Sequence, residues 1–139
     1  MAIESLVVDD EPLARDLLAG YVKQTPFLHF AGACSSAVEA LTVLQREKID
    51  LIFLDIQMPG INGIDAMKEI RRSNNHTVFI VMSAYDKFDY AKEAIKLGVM
   101  EYITKPMEKT RIIAALQKAM ERIDAERLKR KNELLIKEK

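Results

Sequence analysis

The chain has 139 residues, 21 of them basic and 21 acidic, so its formal net charge is zero, and 49% of its residues are hydrophobic. These values suit one domain with a sizeable core and exclude a whole-chain basic footprint for nucleic acid or an acidic tail, so special chemistry must come from local clusters. Cys34, the single cysteine, excludes an internal disulfide, Cys and His are too few for a Cys/His zinc site, and no run of 18 apolar residues exists to span a membrane.

Short apolar runs alternate with helical patterns. The first run, Ile3–Val8, follows a start that lacks the basic segment and long apolar stretch of a secretory signal, so a cytoplasmic protein is expected. A helix follows, with Leu13, Leu17, Leu18 and Tyr21 sharing one face. After the run Leu28–Ala33, Ser36 and Glu39 form a capping-box pattern, and the helix continues through Val38, Leu41 and Leu44. The third run is Asp50–Leu54. The helix after it starts near Asn62 and carries Ile64, Met67 and Ile70. The run Thr77–Val81 precedes a helix starting near Asp86, carrying Phe88, Ala91 and Ile95 and stopping at Gly98. The run Met100–Ile103 leads to a last helix from about Glu108.

Several runs are continuous rather than alternating, as in parallel strands covered on both faces. Five strand–helix repeats predict an α/β fold: one doubly wound, five-stranded parallel sheet, two helices on one side and three on the other, with the flavodoxin-like strand order 2-1-3-4-5 as a known solution. Ile113, Leu116, Met120 and Ile123 make a 3-4-3 seam whose next positions are Arg127 and Arg130, so a long coiled coil is not supported. We expect a domain over residues 1–123, with 124–139 as a charged extension of the last helix or a linker.

In such sheets, sites form outside the carboxyl ends of the strands. The first strand ends in Asp9-Asp10-Glu11, the third in Asp55, the fourth in Ser83 and the fifth in Thr104-Lys105-Pro106. Adjacent strands lie about 5 Å apart, so these side chains can converge. Carboxylates gathered there would repel one another, and a hard divalent cation such as Mg²⁺ relieves that while leaving positions open for phosphate oxygens. A carboxylate beside the ion can serve as nucleophile in phosphoryl transfer, with Lys105 as second cation and Ser83 as hydrogen-bond donor. Singly, each residue has an ordinary reading: Asp10 a helix cap ahead of Pro12, Asp55 a loop residue before Met58-Pro59-Gly60, Ser83 a turn hydroxyl, Lys105 a solvated loop lysine. The conjunction of four strand ends favours the chemistry. His29 and His76 lie at no strand end and receive no role.

These segments resemble the receiver domains of two-component response regulators. The resemblance runs from about Ile3 to Ile123 and rests on Val7-Val8-Asp9-Asp10-Glu11-Pro12, Leu54-Asp55-Ile56-Gln57-Met58-Pro59-Gly60, Val81-Met82-Ser83-Ala84 and Tyr102-Ile103-Thr104-Lys105-Pro106. It implies that Asp55 is the phospho-acceptor. It makes Asp10 a direct Mg²⁺ ligand, Asp9 one acting through water, and Gln57 one through its backbone carbonyl. Lys105 would contact the phosphoryl group, with a cis bond to Pro106. Ser83 and Tyr102 would form the switch pair, although Tyr102 alone reads as a strand aromatic packed on the fifth helix. Gln57 and Tyr85 would tune phosphoryl lifetime. The phosphodonor would be a histidine kinase. The readout surface would be the face of the fourth helix, fifth strand and fifth helix, which can also pair two copies. Self-phosphorylation and dephosphorylation would be its only catalysis. The stretch from Ser83 to Gly98 is similar to regulators with an AraC-type helix-turn-helix output domain, so control of transcription is expected, with no direct contact to nucleic acid by this chain.

Two enzyme-like or cofactor-binding readings compete. A haloacid-dehalogenase-like phosphatase would use Asp9 as nucleophile, but that loop carries a second Asp where this chain has Glu11. A flavodoxin-like cofactor binder would need glycines and backbone amides where the first loop is acidic. A degenerate receiver that only binds partners is disfavoured by intact Asp10, Asp55 and Lys105.

Overall fold

The computed structural model describes residues 2–74, 76–84 and 88–137, and the side chains of all of these except 88–91. The elements alternate as β1 (Ile3–Val8), α1 (Pro12–Gln24), β2 (Leu28–Cys34), α2 (Ala37–Arg46), β3 (Leu51–Asp55), α3 (Gly63–Ser73), β4 (Val78–Ser83), α4 (Phe88–Lys96), β5 (Glu101–Thr104) and α5 (Lys109–Lys137). All strand pairs are parallel and the sheet order is β2-β1-β3-β4-β5, the expected doubly wound arrangement. β3 and β4 are buried along their whole length, which accounts for their continuous apolar runs.

Two cores flank the sheet. One packs α1 and α5 on Ile3, Val7, Leu51, Phe53, Ile80 and Met82; the other packs α2, α3 and α4 on Leu6, Val8, Ile52, Leu54, Phe79 and Val81. Each such aliphatic or aromatic side chain, once fully buried, contributes roughly 1.5–3 kcal/mol of transfer free energy. Among the described residues, no helix is long and apolar enough to cross a membrane.

Local signals set most helix ends. Ser36 caps α2 by accepting from Glu39 N, and Asn62 caps α3 by accepting from Asp65 N. The reciprocal half of the capping box is displaced by one residue: the Glu39 carboxylate accepts from Ser35 N and Oγ rather than from Ser36. α4 stops at Gly98, whose φ of +75° is favourable only without a Cβ; Val99 N donates to Ala94 O and Gly98 N to Ile95 O. The expected start of that helix near Asp86 lies outside the described residues, as do the side chains of Phe88 and Ala91.

Three helical faces differ from expectation. In α1, Leu13 is 87% and Leu17 46% exposed, and the buried face is Leu18, Ala19 and Val22. In α2, Val38 is exposed while Ala37 and Ala40 meet the sheet, and in α4 Ile95 is exposed while Ala94 is buried. In α1 the innermost residues are Leu18 and Val22. In α2 and α4 the reason is shared: alanine lets a helix backbone approach the sheet closely, so the small residue takes the innermost position and a larger neighbour is rotated outward. α5 follows the same rule, with Ile112, Ala115, Leu116, Ala119 and Ile123 inward and Ile113 partly exposed. The helix then runs unbroken to Lys137.

Gly63 is where backbone packing reaches the sheet edge. A Cβ there would lie 2.5 Å from Asp55 O and 2.8 Å from Ile56 Cα, both backbone atoms. Gly63→Ala is therefore expected to cost at least about 2 kcal/mol in urea unfolding, because the clash can be relieved only by moving α3 or the end of β3. Leu13→Ala, on an exposed side chain, is expected to stay within about 0.5 kcal/mol of the parent.

Candidate functional site

The carboxyl ends of β1, β3, β4 and β5 lie side by side because the sheet is parallel and β1 and β3 are its inner neighbours. Asp55 is the last residue of β3 and pairs in register with Met82, while Ser83 pairs with Thr104. Lys105 N donates to Ser83 O at 2.7 Å, which holds the turn after β5 over the end of β4. The Lys105–Pro106 bond is cis.

Asp9 and Asp55 are buried, Asp10 is partly buried and Glu11 is exposed. One oxygen from each of Asp9, Asp10, Glu11 and Asp55 can be chosen so that all four lie within 4.8 Å of one another. Lys105 reaches into this group. Its Nζ is 2.8 Å from Glu11 Oε1, 3.1 Å from Asp9 Oδ2 and 3.3 Å from Asp55 Oδ2. Asp10 is not the cap of α1: Glu11 holds that position without a side-chain capping bond to the helix, Pro12 follows it in the first turn, and Asp9 Oδ1 accepts from Glu11 N at 2.9 Å.

The remaining predicted residues frame the cluster. Gln57 N donates to Asp55 Oδ1 at 3.2 Å. Ser83 is fully buried at the end of β4. Tyr102 lies on β5, partly buried, and packs with the core beneath α2, α3 and α4, beside Leu97 and Val99, rather than on α5. Side chains alternate faces along a strand, and Ile103 takes the α5 side. Tyr85 lies outside the described residues.

Burial, and then the charge of Asp9, push the Asp55 carboxyl from its usual 3.8 to about 7, against the opposing pull of Lys105 and the Gln57 amide. Burial alone would lower the Lys105 pKa, but Glu11, Asp55 and Asp9 together hold its ammonium above the ordinary value. One cation is thus shared by three acids. Asp9 Oδ2 is buried without a hydrogen bond, its closeness to Lys105 being an ion pair only. A buried oxygen lacking a hydrogen bond, in a set of hard carboxylate donors, fits a divalent cation of the Mg²⁺ type.

Glu11 joins the site unannounced by the motifs; its one signal in the sequence is its place as the third acid after β1.

The raised Asp55 pKa has a consequence for stability. The folded state binds this proton more tightly than the unfolded chain, so the metal-free protein loses stability as pH rises from about 4 to about 7. Asp55→Asn is expected to stabilise the metal-free protein at pH 8 by on the order of 1–3 kcal/mol, and by less at pH 5, in urea titrations. Equal gains at the two pH values would contradict the raised pKa of the buried Asp55 carboxyl.

Comparisons with known proteins agree with this fold. A family model described as the response regulator receiver domain matches residues 5–117. The transcriptional regulatory protein MalR of Bacillus subtilis is 38% identical over 114 residues, which is 82% of this chain and 48% of that protein. The transcriptional regulatory protein BtsR of Escherichia coli is 35% identical over 134 residues, 96% of this chain and 53% of that one. The chain therefore spans about half the length of these curated relatives. Among solved structures, the REC domain of AraT, a response regulator from Geobacillus stearothermophilus, superposes with a TM-score of 0.82 at 29% identity, covering 91% of this chain and 99% of that one. The response regulatory domain of mrkE from Klebsiella pneumoniae gives 0.82 at 28%, covering 88% and 99%.

Proposed function

Because the chain belongs to the response regulator receiver domain family, whose members are phosphorylation switches of two-component signalling, we propose that Asp55 is its phospho-acceptor and that the acids and lysine around it make it one. Receiver domains take their phosphoryl group from a histidine kinase, and that is the donor here. The observation that carries the reading is the buried Asp55 carboxylate at the end of a central strand, sharing one lysine with Asp9 and Glu11.

In this reading an Asp55 carboxylate oxygen attacks phosphorus. The new O–P bond forms as the N–P bond of the phosphohistidine breaks and the imidazole departs. A bound Mg²⁺, held by Asp10, Asp55, the Gln57 carbonyl and, through water, Asp9, would neutralise charge on the transferred oxygens. Lys105 leaves its shared position among the carboxylates and pairs with a phosphoryl oxygen. The Ser83 hydroxyl donates to another, and Tyr102 turns inward behind it. Phosphate prefers the conformation in which these contacts are made, and that difference alone shifts the population. The shift is read on the face of α4, β5 and α5, where two copies can pair. The named relatives are transcriptional regulatory proteins, so the output is control of transcription from the cytoplasm, with DNA contacted by a separate domain.

Intact mass after acetyl phosphate and Mg²⁺ tests the assignment. Wild type is expected to gain one phosphoryl group, and Asp55→Ala or chelator to abolish the gain. A gain that survives Asp55→Ala would move the acceptor elsewhere, with Asp9 the first candidate. Tyr85→Ala is expected to shorten the phosphoryl lifetime by opening the path of the attacking water; an unchanged rate of dephosphorylation would remove Tyr85 from that role.

A further inference from the structure

The core-facing line of α5 runs through Ile112, Leu116, Ala119 and Ile123 into Arg127 and Arg130. Arg127 stays on the body: its Nη2 donates to Asp50 Oδ2 and to Ala2 O, each at 3.1 Å. A different line of the same helix is open. Arg111 and Lys118, seven residues apart, both reach Glu101 of β5, at 3.6 and 3.5 Å. The next positions on that line are Ala125 and Asn132, beyond the reach of β5. Beside it lie Leu128 and Leu135, exposed by 59% and 52%.

We infer that residues 124–137 form a parallel two-stranded coiled coil with the same segment of a second copy, through a seam of Ala125, Leu128, Asn132 and Leu135. This goes beyond the phosphorylation reading and does not depend on it. In heptad terms Ala125 and Asn132 are at a, and Leu128 and Leu135 at d. Leucine at d suits two-stranded packing, and a single asparagine at a pairs with its own copy only when the helices are parallel and in register. The flanking charges agree. Asp124 at g faces Lys129 at e of the other copy, an attractive pair in this register. Lys131 at g meets Ile136 at e, where its methylene stem can cover the apolar side chain. Leu128 edges a groove with Lys48, Arg127 and Leu134, yet it and Leu135 remain more than half exposed, so pairing needs no undocking of the helix.

Two heptads would be too short to pair if the helix had to form at the same time. Here the N-terminal half of α5 is already folded by its packing on the sheet, so pairing orders only side chains.

Thiol cross-linking of the whole chain tests the register. The one native cysteine, Cys34, is buried and its thiol is pushed up to about 11 by burial, so it stays silent under mild oxidation. L128C and L135C are each expected to form disulfide dimers at least about tenfold faster than R130C or E133C, because closure needs Cα atoms within roughly 7 Å. L128C mixed with L135C should cross-link more slowly than either alone. Preferential L128C–L135C linkage would mean an antiparallel pair and would overturn the proposal, as would equal rates at all positions or no dimer at any. Sedimentation provides the second reading. L128D/L135D should abolish concentration-dependent dimer while leaving thermal unfolding unchanged at dilutions where the parent is monomeric, since both side chains are exposed in the single chain; dimer that persists would place the interface elsewhere.

Discussion

The site depends on one ammonium group shared among three carboxylates. Lys105 arrives from the end of β5, and Asp9, Glu11 and Asp55 from the ends of β1 and β3 and the turn between β1 and α1. The parallel sheet makes the meeting unavoidable, because every strand delivers its carboxyl end to the same edge. The balance is unequal: burial, and then the charge of Asp9, outweigh the pull of Lys105 and leave Asp55 with a pKa far above that of a free carboxylate. Such a site is poised to gain positive charge or to lose a negative one, and a divalent cation supplies the first.

The rest of the molecule holds that edge still. β3 and β4 are buried end to end, so Asp55 and Ser83 are the last residues of rigid strands rather than members of loops. Gly63 lets α3 begin against the Asp55 carbonyl. At the opposite edge of the sheet, Arg71 donates to Thr77 O, Leu97 O and Gly98 O and lies over the Phe79 ring, tying α3 to the start of β4 and the end of α4. Arg127 ties α5 to Asp50. A shift in α4 or α5 therefore has defined attachments to work against.

Much of this was legible in the sequence, for identifiable reasons. The buried strands announce themselves as continuous apolar runs, and Ser36, Asn62 and Gly98 mark helix ends by chemistry that few other residues supply. The strand-end acids and Lys105 could be brought together from topology alone. The inward faces of α2 and α4 could not, because apolar periodicity weights Val38 and Ile95 above the alanines that reach the sheet; in α1, Leu13 and Leu17 compete with the buried Leu18 and Val22. Tyr102 could be placed on β5 but not on a face, since a four-residue strand with Ile103 beside it offers both. Arg71 and Arg127 carry no sequence signal, as their partners are backbone carbonyls and one distant aspartate. The charged composition after Ile123 does not distinguish a linker from a continuation of the last helix.

The central claim is electrostatic: burial and the neighbouring Asp9 charge hold Asp55 against ionisation until a cation arrives. Following the Asp55 side-chain carboxyl carbon by NMR through a pH titration measures it directly. The account predicts a midpoint near 7 in metal-free protein, falling well below that on saturation with Mg²⁺. A midpoint near 4 that Mg²⁺ leaves unmoved would contradict it.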